Sequence, residues 1–126
     1  MSDELSGLGG PSGLGPGEKV PPQVRILASG ESLGTLRSVH RPASRLSRVQ
    51  FRSGRIYLFD QGLVLARRDG ASLRLFRSGR MRVKNTGDRV FQLIGPQGRA
   101  GFVTAQWSEG PVLAAALSRW AQSHPW

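Results

Sequence analysis

From Leu46 onward, apolar and polar residues alternate in short runs, and turn-forming residues separate one run from the next. Runs of this kind, bounded by glycine-containing turns about every 8 to 12 residues, are typical of β-strands in barrels and sandwiches. We therefore expect an antiparallel meander that closes into a barrel or sandwich. The predicted strands are Leu46–Arg52, Ile56–Asp60, Leu63–Arg67, Ser72–Arg77, Met81–Lys84, Arg89–Ile94 and Ala100–Thr104, with weaker ones at Val24–Ala28 and Gly34–Val39.

The spacing of apolar residues changes near the end of the sequence, where it follows the period of an α-helix. Ser108 is a suitable N-cap residue, and Pro111 is tolerated in a first helical turn. The pattern predicts a helix over residues 109–122 that closes one end of the barrel. Its apolar stripe consists of Leu113, Ala116, Leu117 and Trp120.

Residues 1–22 differ in composition from the rest of the chain, because they consist mainly of glycine, proline and serine with a few scattered leucines. Such a segment buries too little apolar surface to offset its loss of backbone entropy. We expect a disordered tail over residues 1–22 and one folded domain over residues 23–122. The predicted fold class is mainly β with one helix: an antiparallel barrel or sandwich capped by a C-terminal helix.

The 126 residues carry a net charge of +10, and sixteen of the eighteen basic residues are arginine. Two interpretations stay open. A functional one is that the field attracts nucleic acid or an anionic membrane, since a guanidinium group binds phosphate through two parallel hydrogen bonds. The other is that a GC-rich genome encodes arginine in place of lysine, which gives a basic surface without a ligand.

The pentapeptide FRSGR occurs twice, at Phe51–Arg55 and at Phe76–Arg80. For the first copy, a two-residue turn at Ser53-Gly54 pairs Val49 with Leu58 and Phe51 with Ile56, so that apolar residues share one face and Arg52 lies opposite Arg55. For the second copy, the apolar pattern requires a longer or bulged loop. It then pairs Leu75 with Met81 and Leu73 with Val83.

These turns have a functional interpretation, in which the Ser-Gly amides and the flanking arginines bind anions. The alternative is that they are ordinary turns in an arginine-rich chain. Because Met81 and Val83 are predicted to face the core, the basic residues that alternate with them point to solvent. The candidate anion-binding residues are Arg52, Ser53, Arg55, Arg77, Ser78, Arg80, Arg82 and Lys84.

Recognisable catalytic chemistry is missing from the sequence. It contains no cysteine, its two histidines, His40 and His124, are far apart, and neither a nucleophile elbow nor a zinc-binding helix motif occurs. Asp60, Asp69 and Asp88 have the settings of turn residues. We therefore predict a protein that is not an enzyme and has no metal or cofactor.

The segments RIYLFDQGLVLARRDG, SLRLFRSGRMRV and VFQLIGPQGRAGFVTAQW precede a predicted helix that ends in Leu-Ser-Arg-Trp. Over residues 33–121 this series resembles the pleckstrin-homology-like (PH-like) superfold, in particular small actinobacterial proteins of that type. The resemblance implies binding of phosphoinositides, peptides or other proteins. The basic pattern of the lipid-binding members lies in their first hairpin, whereas Arg80, Arg82 and Lys84 come later and in another order, so no lipid site is transferred.

Taken together, the sequence predicts a non-enzymatic binding module that engages a protein partner or anionic lipid headgroups through a basic surface. A protein partner would require an apolar groove between the helix and a neighbouring strand. The alternative is a basic barrel that binds single-stranded nucleic acid or RNA, with Tyr57, Phe59 and Phe76 either stacking on bases or lying in the core. No apolar run is long enough to span a membrane, so we expect a cytoplasmic protein, with the inner membrane face as a peripheral location.

Overall fold

The computed structural model describes residues 20–46, 54–67, 73–96 and 98–125. The helices are α1 (Pro22–Gly30) and α2 (Gly110–Ser123), and Ser78–Arg80 and Thr104–Gln106 form short 3-10 helices. The strands are β1 (Leu36–His40), β2 (Arg55–Phe59), β3 (Gly62–Ala66), β4 (Leu73–Arg77), β5 (Arg82–Gly87), β6 (Val90–Gly95) and β7 (Gly98–Val103).

Within the described residues, the strands form two antiparallel sheets. The first contains β1 to β4 in sequence order, and the second contains β5 to β7 in sequence order. The 3-10 helix Ser78–Arg80 carries the chain from one sheet to the other. The predicted class is confirmed: a sandwich-like or barrel-like antiparallel fold capped by a C-terminal helix. Most of the predicted tail lies in residues 1–19, outside the described residues, and α1 begins at Pro22.

The inner faces of both sheets and one face of α2 share a hydrophobic core. Phe76 on β4 and Phe91 on β6 are among its largest fully buried side chains. The predicted stripe on α2 is buried in the same core, and burial of each large apolar side chain contributes about 1.5–3 kcal/mol. The stripe comprises Leu113, Ala116, Leu117 and Trp120.

The outer face of the first sheet is also buried, because α1 packs across it. The prediction of a strand at Val24–Ala28 is therefore wrong. Val24, Ile26 and Ala28 alternate as strand residues would, but Val24 and Ala28 are buried one helical turn apart and Ile26 is 72% exposed. Pro22 at the first helical positions favours the helix as well.

The hairpin predicted at the first pentapeptide is also wrong in its pairing. Residues 47–53 lie outside the described residues, but both edges of β2 are occupied, by β1 on one side and by β3 on the other. Ile56 pairs with His40 and Leu65, and Arg55 pairs with Ala66. Ile56 and Leu58 thus have strand partners on both sides and are not available for the predicted pairs with Phe51 and Val49.

The second pentapeptide does not join a hairpin either. Because β4 and β5 belong to different sheets, the predicted pairing of Leu75 with Met81 and of Leu73 with Val83 is wrong. Met81 and Val83 are buried as predicted, but Leu73 and Leu75 pack on the outer face of the first sheet. The inner positions of β4 are those of Arg74 and Phe76, which pair with Leu65 and Leu63.

The free edge of β5 is covered by the segment that follows α2. The backbone N–H of Val83 donates to the carbonyl oxygen of His124 at 2.8 Å, and Pro125 forms a parallel bridge with Val83. This segment therefore extends the second sheet by one short parallel contact.

Candidate functional site

A cleft of about 400 Å³ lies where the first sheet approaches β7. Its walls come from the start of β2, the end of β3, the start of β4 and the middle of β7. None of the described lining residues is acidic, so the cleft is strongly cationic. Four arginines line it: Arg55, Arg67, Arg74 and Arg99.

The remaining lining residues are small or apolar. Glycine and alanine leave the volume open, since larger side chains at the same positions would fill it. Phe102 and Trp107 are 3% and 5% exposed, and their rings meet edge to face with centroids 6.5 Å apart. These two aromatic residues belong to the main core, so the cleft has a fixed apolar side. The small and apolar lining residues are Gly54, Leu65, Ala66, Ala100, Gly101, Phe102 and Trp107.

Arg74 connects the two sheets at this cleft. Its Nη2 donates a hydrogen bond to the carbonyl oxygen of Arg99 on β7 at 2.5 Å. Its guanidinium carbon lies 5.4 Å from the centroid of the Phe76 ring, within the range of a cation–π contact. A Cβ atom at Gly98 would come within 3.2 Å of Nη2, so glycine gives the guanidinium room. The side chain is thus oriented on two sides while one of its five N–H donors is used by the bond to Arg99.

Arg55 at the start of β2 and Arg67 directly after β3 also line the cleft. Arg55 is half-buried, and its Nη1 donates to the carbonyl oxygen of Gly54 at 3.1 Å. Arg67, directly after β3, is exposed. The positive charges of the four lining arginines favour a bound anion in the cavity.

The structure separates the predicted anion-binding residues. Arg55 lies in the cleft, whereas Arg52 and Ser53 lie outside the described residues. The corner of Arg77, Ser78 and Arg80 lies at the opposite end of β3. Arg55 pairs with the last residue of β3 and Arg77 with the first, four residues away, which places them roughly 13 Å apart.

The Ser78 corner has a structural role of its own. The backbone N–H of Ser78 donates to the carbonyl oxygen of Gln61 at 2.8 Å, and its hydroxyl donates to Gln61 Oε1 at 3.2 Å. The backbone N–H and the hydroxyl of Ser78 are therefore both bonded to the turn between β2 and β3.

Arg82 and Lys84 lie on the outward face of the second sheet, exposed as predicted. Arg82 pairs with Ile94, which pairs with Arg99, so Arg82 stands in one row with an arginine of the cleft. The sequence prediction missed Arg67, Arg74 and Arg99. Arg74 could have been found from its spacing, because it is two residues from Phe76 and thus on the same face of β4.

The aromatic residues proposed as stacking platforms are core residues. Phe76 is fully buried, and Tyr57 and Phe59 are 3% and 6% exposed. In the described part of the chain, no group of three His, Cys, Asp or Glu side chains is placed to hold a metal ion. Among the described helices, none has the length and apolar character needed to cross a membrane.

A second cavity, of about 480 Å³, lies between α2 and the strands β1 and β2. Its lining includes Arg37, Leu58, Asp60, Val112 and Arg119, so this groove beside the helix combines charged and apolar residues. Asp60 accepts hydrogen bonds from the Thr35 backbone N–H, at 2.9 Å, and from Arg37 Nε. The bond from Thr35, followed by that from Arg37, lowers the pKa of the Asp60 carboxyl.

A buried hydrogen-bond network joins β1 to the start of α2. His40 Nδ1 lies 2.7 Å from the carbonyl oxygen of Ser108, so Nδ1 carries the proton and Nε2 accepts from the Ser38 hydroxyl at 2.8 Å. Ser108 Oγ accepts from the Arg41 backbone N–H at 2.8 Å, and Glu109 occupies the N-cap position, so the prediction that Ser108 caps α2 is wrong. Burial lowers the pKa of His40, although the bond to Ser108 and the charge of Glu109 oppose the shift.

We expect the free energy of unfolding to fall as the pH drops below about 6.5, the ordinary pKa of histidine. Since folded His40 binds a proton less readily than the unfolded chain does, acid favours unfolding until the folded-state pKa is passed. The slope should not exceed about 1.4 kcal/mol per pH unit, and above pH 6.5 the contribution of His40 is constant.

Urea unfolding between about pH 5.5 and 7.5 measures this dependence, above the range in which carboxyl groups titrate. His40→Asn should remove it, and His124→Gln, the matched control, should retain it. A pH dependence that survives in His40→Asn would show that another group is responsible.

The fold and the cleft describe a class of protein: a small antiparallel β domain, closed by a terminal helix, with a cationic cavity of ligand size. Comparison with known proteins adds no relative, because no protein-family model, no curated protein and no solved structure matches the chain. The function must therefore be inferred from the cleft itself.

Proposed function

We propose that the protein is a non-enzymatic binding module of PH-like type, and that its arginine-lined cleft binds the phosphate-bearing headgroup of an anionic lipid. The observation that carries the proposal is the convergence of four arginines on one cavity of about 400 Å³. Two sheets of four and three strands followed by a helix agree with the resemblance to PH-like domains and support that part of the proposal.

Phosphate is the group that this lining fits best. A phosphate ester offers several acceptor oxygens around one or two negative charges, and the planar fork of arginine matches that geometry. The volume is within the range of small-molecule sites. Because Arg74 is already oriented by Arg99 and Phe76, binding would lose less side-chain entropy there than at a free arginine.

The outward face of the second sheet adds support for a lipid surface. Arg82 and Lys84 are exposed there, in rows that lead across β6 to β7. Near an anionic bilayer each such residue contributes about 1 kcal/mol of attraction. Single-stranded nucleic acid is supported less, since Tyr57, Phe59 and Phe76 are buried and offer no stacking surface.

The proposal is tested by titrating the protein with vesicles that contain phosphatidylserine and a phosphatidylinositol phosphate. Neutral vesicles and a mixed-sequence RNA are titrated in parallel at low and high salt. The Arg55→Gln, Arg67→Gln double variant should bind the anionic vesicles at least roughly tenfold more weakly, because it removes two charge-assisted hydrogen bonds. The Arg25→Gln, Arg119→Gln variant, which loses the same charge on α1 and α2, should bind almost as well as the original protein.

Equal losses in the two variants would show that binding follows net charge and does not use the cleft. Stronger, salt-sensitive binding of RNA would favour the nucleic-acid alternative. If no probe binds, the cleft is not the site, and the groove beside α2 becomes the candidate for a protein partner.

A further inference from the structure

The acidic residues of the chain are unevenly distributed. Residues 1–18 contain Asp3, Glu4 and Glu18 and no lysine or arginine. The remaining residues contain all eighteen basic residues and five acidic ones, a net charge of +13. The chain thus joins a segment of net charge −3 to a strongly basic body, and each attracts the other.

The chain is long enough for the adjacent acidic residues Asp3 and Glu4 to reach the cleft. Val20, where the described residues begin, lines a cavity together with Leu36 and Phe59, at the end of β2. Arg55, in the cleft, is four residues from Phe59, or roughly 13 Å along β2. Glu4 precedes Val20 by sixteen residues, which span at most about 55 Å when extended.

Three cavities lined by described residues differ in charge, and the cleft is the most cationic of these three. The groove beside α2 contains Asp60 as well as two arginines, and the cavity beside α1 contains one arginine, Arg25. The cleft has four arginines, and no acidic residue is present in its described lining. Its apolar side also suits Leu5, which directly follows the acidic pair.

We propose that Asp3 and Glu4 occupy the arginine-lined cleft of the same chain and compete there with the phosphate-bearing ligand. The inference rests on the proposed function for its biological meaning. Two adjacent carboxylates offer the guanidinium groups the same kind of charge and acceptor oxygens as a phosphate group does. Since site and segment share one chain, the effective concentration of the segment is on the order of mM, so a contact with a Kd near or below that value is substantially populated.

Two full-length variants test this competition. Asp3→Asn, Glu4→Gln removes the acidic pair without changing the length of the chain. Glu18→Gln is the control, because Glu18 precedes Val20 by two residues, which span at most about 7 Å, less than the roughly 13 Å along β2 from Phe59 to Arg55. Binding of inositol hexakisphosphate, a soluble phosphate probe, is measured by calorimetry for each protein. The double variant should bind roughly three- to tenfold more tightly than the original chain, and Glu18→Gln should bind as the original does.

A second readout does not depend on the probe. In ¹⁵N-labelled protein without ligand, the backbone amide of Gly101 and the Nε–H of Arg74 report on the cleft. Their resonances should shift in the double variant and stay in place in Glu18→Gln. The positions of these resonances should not change with protein concentration. If they do change, the segment occupies the cleft of a second copy, and the proposal is overturned.

The two readouts separate this inference from the proposed function. If no protein binds the phosphate probe but the cleft resonances shift in the double variant, the segment occupies the cleft and the proposed function fails. If all three proteins bind the probe equally and the resonances do not move, the function stands and the competition is overturned. The competition would also be overturned if Glu18→Gln and the double variant changed probe binding by the same amount per charge removed.

Discussion

Replacing Gly62 with alanine is expected to destabilise the domain by about 2 kcal/mol or more, whereas the same change at Gly79 is not. A Cβ atom at Gly62 would lie 2.4 Å from the carbonyl oxygen of Phe76 and 3.0 Å from the Cα atom of Arg77. Both are backbone atoms of β4, so relief requires β3 and β4 to move apart, at a cost typical of overpacked cores.

Gly79, in the second FRSGR pentapeptide, is the matched control, because the same change there meets open space. No heavy atom would lie within 4 Å of a Cβ at Gly79, and its φ is not positive. Gly79→Ala should therefore leave stability unchanged or raise it by about 0.4–1 kcal/mol, since alanine restricts the unfolded chain. Urea unfolding of both variants measures the difference. Similar stabilities would mean that β3 and β4 are not as close as the structure places them.

Replacing Phe76 with alanine should cost about 3–5 kcal/mol, the usual range for a large aromatic side chain removed from a core. Phe76 is fully buried between the sheets and is also the ring under the Arg74 guanidinium. Because a loss of this size is a large fraction of the stability of a small domain, Phe76→Leu is the more informative variant for binding studies. It keeps most of the buried apolar volume but removes the aromatic face.

Thermal unfolding and headgroup binding should separate the two roles of Phe76. Phe76→Leu should retain the fold and bind inositol hexakisphosphate more weakly, by a few-fold, because ordering a side chain on binding costs about 0.5–1.5 kcal/mol and Arg74 would lose the ring that orients it. Leu46→Ala, at a position that is 77% exposed, should change neither property. Undiminished binding in Phe76→Leu would show that Arg74 needs no aromatic support.

The strand positions could be predicted from the sequence because alternation and turn residues act locally. Strands predicted from Gly34–Val39 and from Ile56–Asp60 to Ala100–Thr104 agree with β1 to β7 to within about three residues. The stripe on α2 was equally readable, since its period differs from that of a strand. These signals are contained in short windows of sequence.

Pairing and orientation could not be predicted in the same way. Alternation divides β4 into two faces but does not say which of them meets the core. Leu73 and Leu75 were predicted to face the core. They lie on the outer face instead, where α1 covers them, so both faces of β4 carry apolar residues. The cleft depends on a further long-range fact, that β7 lies beside β4, where Arg74 contacts Arg99.

The short segment after α2 also affects how the molecule behaves at high concentration. An exposed strand edge offers unpaired N–H and C=O groups to any other strand, and this is a common route to aggregation. By bonding to Val83, His124 and Pro125 occupy part of the β5 edge and interrupt the row of groups that a neighbouring molecule would need. Proline has no N–H donor of its own, so this segment offers one donor fewer to a further strand. These residues thus hinder edge-to-edge association between neighbouring molecules.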